Sequence, residues 1–217
     1  MRALVLCGDV WHPTGTVRAG LDPLEAAGFS FDWVEHANAW TAERMAAYPL
    51  VILAKSNNRS QVDEAPWATD EVVSAFALGV RSGQGLLVVH SGTAGYQDLP
   101  GLRGLMGGAF ANHPPQCPVT ATPHAGHPLC AGSEPFTLAD EHYVMALDDP
   151  QADVFLTTSS VHGQQPGGWC RREGAGRVGV LTPGHTVEVW LHTAYQALLL
   201  NALRWCLNLP AVESESR

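Results

Sequence analysis

Short runs of apolar residues alternate with segments of helical periodicity along most of the chain. Residues 4–7, 50–54 and 86–89 are apolar throughout, a pattern typical of strands that are buried on both faces of a parallel sheet. Between the last two runs, apolar residues recur at helical spacing from 72 to 80, and Pro66 is well placed for the first turn of that helix. Such alternation predicts a doubly wound, mostly parallel α/β sheet with helices on both faces.

The two ends of the chain extend this pattern. Thr16 is a fair N-cap for a first helix, and residues 29–34 alternate like a second strand. Near the carboxyl end, residues 195–206 carry one apolar stripe, as a helix packed on a sheet does. We therefore expect a single domain over residues 1–210, followed by a polar tail over residues 211–217.

The middle of the chain has a different composition. Residues 112–135 are rich in Pro, His and Gly and contain one short predicted strand at 118–121. Residues 154–158 predict a further strand, and a Gly-containing turn joins 169–172 to 177–181 as a hairpin. We interpret this region as a small β-extension near the site and not as a separate domain.

The composition excludes several classes of partner. The chain has 217 residues, of which 46% are hydrophobic and 15% charged, enough apolar content to bury a core. The net charge is −9 and Lys and Arg total only 12, so we expect no nucleic-acid partner and no membrane attachment. Five cysteines are scattered without a CxxC pair, and the first apolar run is too short for a signal peptide. We therefore expect a cytoplasmic protein with reduced thiols.

Reactive side chains follow three of the predicted strands. Asp9 and His12 follow the first strand, His90 and Ser91 directly follow the third apolar run, and His185 follows the last strand of the hairpin. Because ligands of an open α/β sheet bind outside the carboxyl ends of its strands, we expect these side chains near one site. We assign His12 to substrate binding.

His90 is the strongest candidate because small residues follow it in a tight turn. The sequence His-Ser-Gly-Thr-Ala-Gly resembles a nucleophile elbow in which imidazole replaces the usual Ser or Cys. A neutral imidazole there serves as a metal ligand or general base, and the alternative is a histidine hydrogen-bonded under a loop. Ser91 is a weak candidate for a nucleophile, because the outer glycines of G-x-S-x-G are absent, and we assign it to substrate binding.

A divalent metal site is one hypothesis for these residues. Two histidines and a carboxylate from distant loops, here His90, His185 and Glu141, form a common ligand set for zinc or manganese. The long separations weaken this hypothesis, since any chain with ten histidines offers such triples. The same three residues are equally candidates for a catalytic acid/base set without metal.

Further residues are candidates for the wall of the pocket. His113, on the extension, is either a catalytic proton carrier or a plain turn histidine. Trp11 and Tyr143 are assigned to substrate binding, Trp11 because its loop follows the first strand. His124 and His127 have a spacing compatible with metal, but we interpret them as surface loop residues.

Several segments, in series, resemble the ThuA-like family, which is named for trehalose utilisation. The segments are GLLVVHSG at 85–92, MGGAFANHP at 106–114, GHPL at 126–129, DEHY at 140–143, and a last piece from GAGRV at 174–178 through PGH at 183–185 to NALRW at 201–205. That family belongs to the class I glutamine amidotransferase-like superfamily. The resemblance therefore implies a flavodoxin-like, three-layer α/β/α sandwich.

The resemblance also implies features of the site. His90 takes the position of the cysteine nucleophile of true amidotransferases, so we expect no Cys-dependent glutaminase activity. By position, His90, Glu141 and His185 match a polar cluster that holds a metal ion in some relatives, and His113 matches the family's His-Pro loop. Family members are linked to the use of trehalose and other disaccharides through keto-sugars.

Two functions of different class remain open at this point. The first is a carbohydrate-processing enzyme that acts on a sugar or keto-sugar through His90, Glu141 and His185, with zinc or manganese as a candidate cofactor and no nucleotide cofactor. The second is a non-catalytic sugar-binding module on a degenerate amidotransferase-like fold. A serine hydrolase that uses Ser91 is a third and weaker hypothesis, and the oligomeric state, including a homo-oligomer, is open.

Overall fold

The computed structural model describes residues 1–210 as a mixed α/β fold. The strands are β1 (Arg2–Cys7), β2 (Ser30–Val34), β3 (Leu50–Ala54), β4 (Gly85–Val89), β5 (Gly108–Asn112), β6 (Cys117–Pro123), β7 (Phe136–Asp140), β8 (Val144–Leu147), β9 (Asp153–Ser160), β10 (Gly163–Glu173) and β11 (Gly176–Leu181). The helices are α1 (Thr14–Leu21), α2 (Ala42–Ala46), α3 (Asp70–Arg81), α4 (Pro100–Met106), α5 (Val187–Leu191) and α6 (Thr193–Cys206). The predicted polar tail, 211–217, lies outside the described residues. Within residues 1–210, no helix has the length and apolar character needed to span a membrane.

Nine strands form one sheet, in the order β2-β1-β3-β4-β11-β10-β9-β6-β7. The first five run parallel to one another, whereas the last four join the sheet antiparallel. β5 and β8 form a separate antiparallel pair. The structure confirms the predicted α/β class with its parallel core, and it shows that the β-extension continues the same sheet.

Side chains of the parallel strands alternate between two buried layers. On one face, Val5 and Leu87 belong to a core with Leu198 of α6, and on the other face Leu4 joins a core with Phe76 of α3. Successive residues of one strand thus enter opposite cores, which explains why the sequence shows continuous apolar runs. Helices α1, α5 and α6 cover the first face and α2, α3 and α4 the second, as in a three-layer sandwich.

The carboxyl ends of the parallel strands meet at one edge of the sheet. Cys7, which ends β1, pairs with Ala54, which ends β3. Val89, which ends β4, pairs with Leu181, which ends β11. The loops that follow these strands therefore start side by side.

Two helices begin elsewhere than the sequence predicts. α1 begins before Thr16, with Pro13 at the N-cap position, so Thr16 lies inside the first turn. α3 begins after Thr69, whose side-chain oxygen accepts a hydrogen bond from the amide of Val72 (3.4 Å), and Pro66 lies in the preceding loop. A hydroxyl that satisfies an unpaired helix amide is the stronger start signal of the two.

Candidate metal centre

Three histidines reach the site from the carboxyl ends of parallel strands. His12 lies on the loop after β1, His90 directly follows β4, and His185 lies on the loop after β11. Because these strand ends share one edge of the sheet, the three imidazole centroids lie 4.9 to 5.7 Å apart. The parallel core thus brings together histidines that are distant in sequence.

Glu141 joins them from the antiparallel extension. It follows β7, whose last residue, Asp140, is buried and accepts hydrogen bonds from the amides of Gly184 and His185, each at 3.0 Å. The extension therefore curves back over the end of β11. Gly184 has a φ of +145°, and a Cβ there would lie 3.1 Å from the Cβ of His90, so glycine at this position lets the loop after β11 approach the His90 turn closely.

Glu141 lies at the centre of the group His12, His90, Glu141 and His185, which we call the site cluster. Its Oε2 is 3.2 Å from Nδ1 of His185, 3.4 Å from Nε2 of His90 and 3.8 Å from Nε2 of His12. One potential ligand atom from each residue lies within 4.8 Å of every other. This convergence of imidazole and carboxylate is what a single divalent cation requires of its ligands.

Hydrogen bonds behind the rings determine which nitrogens face the centre. Nδ1 of His90 lies 2.7 Å from the carbonyl oxygen of Thr182, which can only accept, so Nδ1 donates and Nε2 presents a lone pair. Nδ1 of His12 lies 2.8 Å from Oδ1 of Asp9, so in the neutral form of this ring Nε2 likewise presents a lone pair. These two Nε2 atoms and Nδ1 of His185 are buried and have no hydrogen-bond partner within residues 1–210. Since buried polar atoms are rarely left unpaired, three such nitrogens around one carboxylate make this cluster a candidate site for a cation.

Asp9 anchors His12 and its loop. Its fully buried carboxylate accepts hydrogen bonds from the amides of Trp11 and His12 (2.9 Å each) and of Ser56 (2.8 Å), as well as from the His12 ring. Burial opposes ionisation, but these donors outweigh it and lower the pKa of Asp9 to about 2. A carboxylate that orients the far nitrogen of a histidine is a usual support of a metal ligand, so Asp9 is a positioning residue.

The charges of the site cluster are strongly coupled. Burial disfavours the charged form of His12, but the hydrogen bond to Asp9 and the negative charges of Asp9 and Glu141 outweigh it and raise the pKa of His12 to about 9. Burial likewise opposes ionisation of Glu141, yet the three histidines around it hold its pKa well below its usual range. Burial lowers the pKa of His90, which keeps this imidazole neutral and available as a ligand.

The turn after β4 aims His90 at the centre. His90 has a left-handed φ of +46° and opens the 3-10 turn His90–Thr93, in which Oγ1 of Thr93 donates to the His90 carbonyl (2.8 Å). Gly92 is required there, because a Cβ would lie 2.0 Å from the carbonyl oxygen of Leu53. Ser91 is buried in the same turn and is not among the residues that line the cavity, so its contact with substrate stays a prediction.

A cavity of about 830 Å³ opens in front of the site cluster, with His12, Glu141 and His185 in its lining. The rest of the wall combines aromatic and polar side chains, among them Trp11, Phe110, Tyr143, His113, Ser56, Asn57 and Asn58. Such a volume suits a small organic ligand with several polar groups. The sequence assigned no functional role to Phe110, which comes from the unpredicted strand β5, or to the polar loop after β3.

The predicted wall residues lie close to the cluster. The ring of Tyr143 stacks on that of His90, with centroids 4.1 Å apart. Nε2 of His113 is 3.6 Å from Oε1 of Glu141, while its Nδ1 donates to the carbonyl oxygen of Pro114 (2.8 Å). Trp11 is 68% exposed and is therefore free to meet a ligand. His12, predicted to bind substrate, is placed by its geometry among the potential metal ligands.

Comparison with known proteins assigns the chain to a family. A family model described as ThuA, trehalose utilisation, matches residues 3–206. The chain belongs to the ThuA family. No curated protein sequence matches it significantly.

Solved structures similar to this ThuA-family chain support the fold. A ThuA-like protein from Parabacteroides merdae matches 100% of this chain and 93% of its own, with 16% identity and a TM-score of 0.77. A cytoplasmic protein from Salmonella typhimurium matches 95% of this chain and 99% of its own, with 14% identity and a TM-score of 0.70. A cold-adapted β-galactosidase from Rahnella matches 95% of this chain but only 31% of its own, with 16% identity and a TM-score of 0.66. At these identities the similarity shows the fold alone.

Proposed function

We propose that this ThuA-family chain is a carbohydrate-processing enzyme that acts on a sugar or keto-sugar with the help of a divalent metal. His12, His90, His185 and Glu141 would hold zinc or manganese, and three of them, His12, Glu141 and His185, line the cavity. When bound, the ion supplies Lewis acidity toward a sugar carbonyl or a pair of neighbouring sugar oxygens. The alternative is a non-catalytic sugar-binding module with the same cavity.

The observation that carries the proposal is the convergence of three unpaired, buried nitrogens on the Glu141 carboxylate. Lone pairs that face a carboxylate repel it unless a proton or a cation lies between them. Two of the rings are held from behind, by Asp9 and by the Thr182 carbonyl, in the tautomer that a metal ligand needs. The donor set therefore fits a divalent cation.

His113 is the residue that we assign to proton transfer. Its Nδ1 donates to the Pro114 carbonyl, so Nε2 is left as the proton acceptor on the cavity side. It lies 3.6 Å from Oε1 of Glu141 and is more exposed than the cluster histidines. In this position it takes a proton from a sugar carbon or hydroxyl, or returns one, without leaving the wall.

The aromatic wall orients the sugar. Phe110 and Tyr143 contact one another with centroids 4.4 Å apart, and Trp11 lies on the loop that Asp9 anchors. Aromatic faces cover the apolar C–H surface of a sugar ring, while polar groups read its hydroxyls. The wall thus supports a ligand of sugar type.

The turn at His90 supports a relation to the class I glutamine amidotransferase-like proteins. A strained residue between β4 and a tight turn of small residues has the geometry of a nucleophile elbow. Imidazole stands there instead of a thiol, and none of the five cysteines lines the cavity. We therefore expect no glutaminase activity.

A cytoplasmic location is part of the proposal. All five cysteines are free, and Cys7, Cys130, Cys170 and Cys206 are buried in the fold. Free thiols persist in a reducing compartment. The similar structure from Salmonella typhimurium is described as a cytoplasmic protein.

Elemental analysis tests the metal, with wild type beside His90→Ala and His185→Ala after exposure to zinc or manganese. We expect one metal ion per wild-type chain and loss of that ion from both variants, because each removes one of the converging nitrogens. Turnover of keto-disaccharides, compared between wild type and Glu141→Ala, then tests the enzyme. Absence of metal from every sample would favour a metal-free acid/base site or the binding module.

A further inference from the structure

The loop after β3 forms a wall of the cavity that carries amide groups. Ser56, Asn57 and Asn58 follow the strand and line the cavity. The amide of Ser56 donates to Oδ2 of Asp9 at 2.8 Å, so this loop is tied to the residue that orients His12. Polar groups on this wall thus keep a constant position relative to the site cluster.

The side chain of Asn57 has one polar atom that the protein leaves free. Its Oδ1 accepts hydrogen bonds from the amides of Trp67 (3.1 Å) and Ala68 (3.0 Å). Two backbone donors on the same atom identify it as the oxygen, so the other atom is the NH₂ group. Within residues 1–210, this Nδ2 makes no hydrogen bond, although the residue is part of the cavity wall.

Asn57 is also held rigidly. Its backbone amide donates to the carbonyl oxygen of Ala94 (3.2 Å), in the loop that follows the His90 turn. Gly95 has a φ of +78°, and a Cβ there would lie 3.0 Å from the Cβ of Asn57. A donor that is fixed in this way loses little entropy when it binds a ligand.

The neighbouring Asn58 provides an internal contrast. Its Oδ1 accepts a hydrogen bond from Oγ of Ser56, and its Nδ2 donates to the carbonyl oxygen of Glu64 (3.0 Å). Both polar atoms of Asn58 are therefore used to shape the loop, whereas Asn57 uses only its oxygen.

We propose that Nδ2 of Asn57 donates a hydrogen bond to a hydroxyl or carbonyl oxygen of the sugar and is a specificity-determining contact. The inference rests on the proposed sugar ligand, and it holds for an enzyme and for a binding module alike. A donor in the cavity wall that a bound ligand covers must find an acceptor on that ligand, so it disfavours ligands that lack oxygen at that point.

Binding of trehalose and of its keto derivative to the metal-treated protein tests this assignment. We expect Asn57→Asp to raise the dissociation constant about 10- to 100-fold, because the substitution keeps the acceptor for Trp67 and Ala68 but replaces the donor by a carboxylate oxygen. Asn58→Asp, which adds the same negative charge to the same loop, should lower Tm through the lost bond to Glu64 and raise the dissociation constant less than Asn57→Asp does, because both polar atoms of Asn58 are engaged within the loop. Metal content should equal that of wild type in both variants.

The side-chain amide signals of ¹⁵N-labelled wild type provide a measurement that needs no variant. Addition of either sugar should shift the NH₂ signals of Asn57 more than those of Asn58. Equal affinity of wild type and Asn57→Asp, unmoved Asn57 signals, or no binding of either sugar by wild type would overturn the inference. If the protein binds metal but neither sugar, the inference fails while the proposed metal ligands of the site cluster still stand. If a sugar shifts the NH₂ signals of Asn57 but neither metal binding nor turnover is detected, the binding module is favoured.

Discussion

Two regions of the molecule bring histidine, carboxylate and further potential ligands within 4.8 Å of one another. The first is the site cluster, at the carboxyl edge of the parallel strands. The second, which we call the extension cluster, consists of His127, Asp153 and Cys170 in the antiparallel part of the sheet. By distance alone both are candidates for a metal, so the difference between them must lie in their hydrogen bonds.

In the extension cluster the histidine and the carboxylate already bond to each other. Nδ1 of His127 accepts a hydrogen bond from the amide of Leu129 (3.2 Å), so the proton lies on Nε2, which donates to Asp153 (3.1 Å). Cys170 is buried, and burial raises the pKa of its thiol to about 12. A histidine whose facing nitrogen carries the proton and a protonated thiol are poor ligands. In the site cluster, by contrast, Nδ1 of His12 and of His90 donates to an acceptor behind the ring, so each neutral ring presents a lone pair on its facing nitrogen. His12 gives up its second proton when a cation binds. The ring nitrogen that carries the proton, and not the distance between the side chains, therefore distinguishes the candidate metal site from the structural contact.

Replacement of one histidine by alanine in each cluster should produce the largest difference in zinc affinity. A four-ligand zinc site is stabilised by about 10–16 kcal/mol, so loss of one ligand corresponds to a dissociation constant about 100- to 1,000-fold higher. We expect this weakening for His12→Ala and no change for His127→Ala, measured by competition with a zinc chelator. Equal affinity of the two variants would remove His12 from the ligand set.

The pKa of the Cys170 thiol provides a second test of the difference between the two clusters. Because burial holds the pKa of this thiol at about 12, only a minute fraction is thiolate at pH 8. We expect alkylation of Cys170 by iodoacetamide to be at least about 100-fold slower in the folded protein than in guanidinium. The rate should rise with pH toward pH 12, since the thiolate fraction grows until the pKa is reached. Peptide mapping by mass spectrometry measures it, and protection of Cys170 by added zinc would contradict our interpretation of the extension cluster.

Asp9→Asn and Asp153→Asn make the same chemical change at the carboxylate that each histidine contacts. Oδ1 of Asp9 accepts from the His12 ring and from the amides of Trp11 and His12, and Oδ2 accepts from the amide of Ser56. In Asp9→Asn the NH₂ group faces a donor in either orientation, and the His12 ring loses the negative charge that holds it. We expect zinc affinity to fall about 10- to 100-fold in Asp9→Asn, as for other residues that orient a ligand. Asp153→Asn should bind zinc as wild type does. A matching loss in both variants would indicate a general effect on the fold.

The site cluster also shows how far the sequence predicts the site. Continuous apolar runs predict strands buried on both faces, and parallel strands end at one edge, so the meeting of His90 with His185 follows from the pattern. The placement of Glu141 does not follow. It depends on the curvature of four antiparallel strands that carry Asp140 back to the amides of Gly184 and His185, and no local spacing encodes that curvature.

Asp9 and Asn57 show a second limit of the sequence. Each is a polar residue after a buried strand, which predicts a place at the edge of the sheet but not a role. The role of Asp9 depends on amides from two loops, and that of Asn57 depends on the amides of Trp67 and Ala68. The bond from Ser56 to Asp9 joins loops 47 residues apart in sequence, and those of Asn57 reach 10 and 11 residues along the same segment. No local pattern encodes such pairings, so only the structure shows which polar atoms are used and which are free.

The smallest effect that we expect concerns His127, which the sequence places in a Gly-His-Pro-Leu motif. Its Nδ1 caps the 3-10 turn Pro128–Cys130, and its ring stacks on Phe155 with centroids 5.4 Å apart. His127→Ala should therefore lower the free energy of unfolding by about 1 kcal/mol, as loss of an N-cap does, with the metal content unchanged. His127→Asn should recover most of that loss, because its side-chain oxygen also caps the turn although it no longer stacks on Phe155. Denaturant unfolding of the three proteins measures the difference, and a metal-dependent change in stability upon His127→Ala would show that the extension cluster is more than a structural contact.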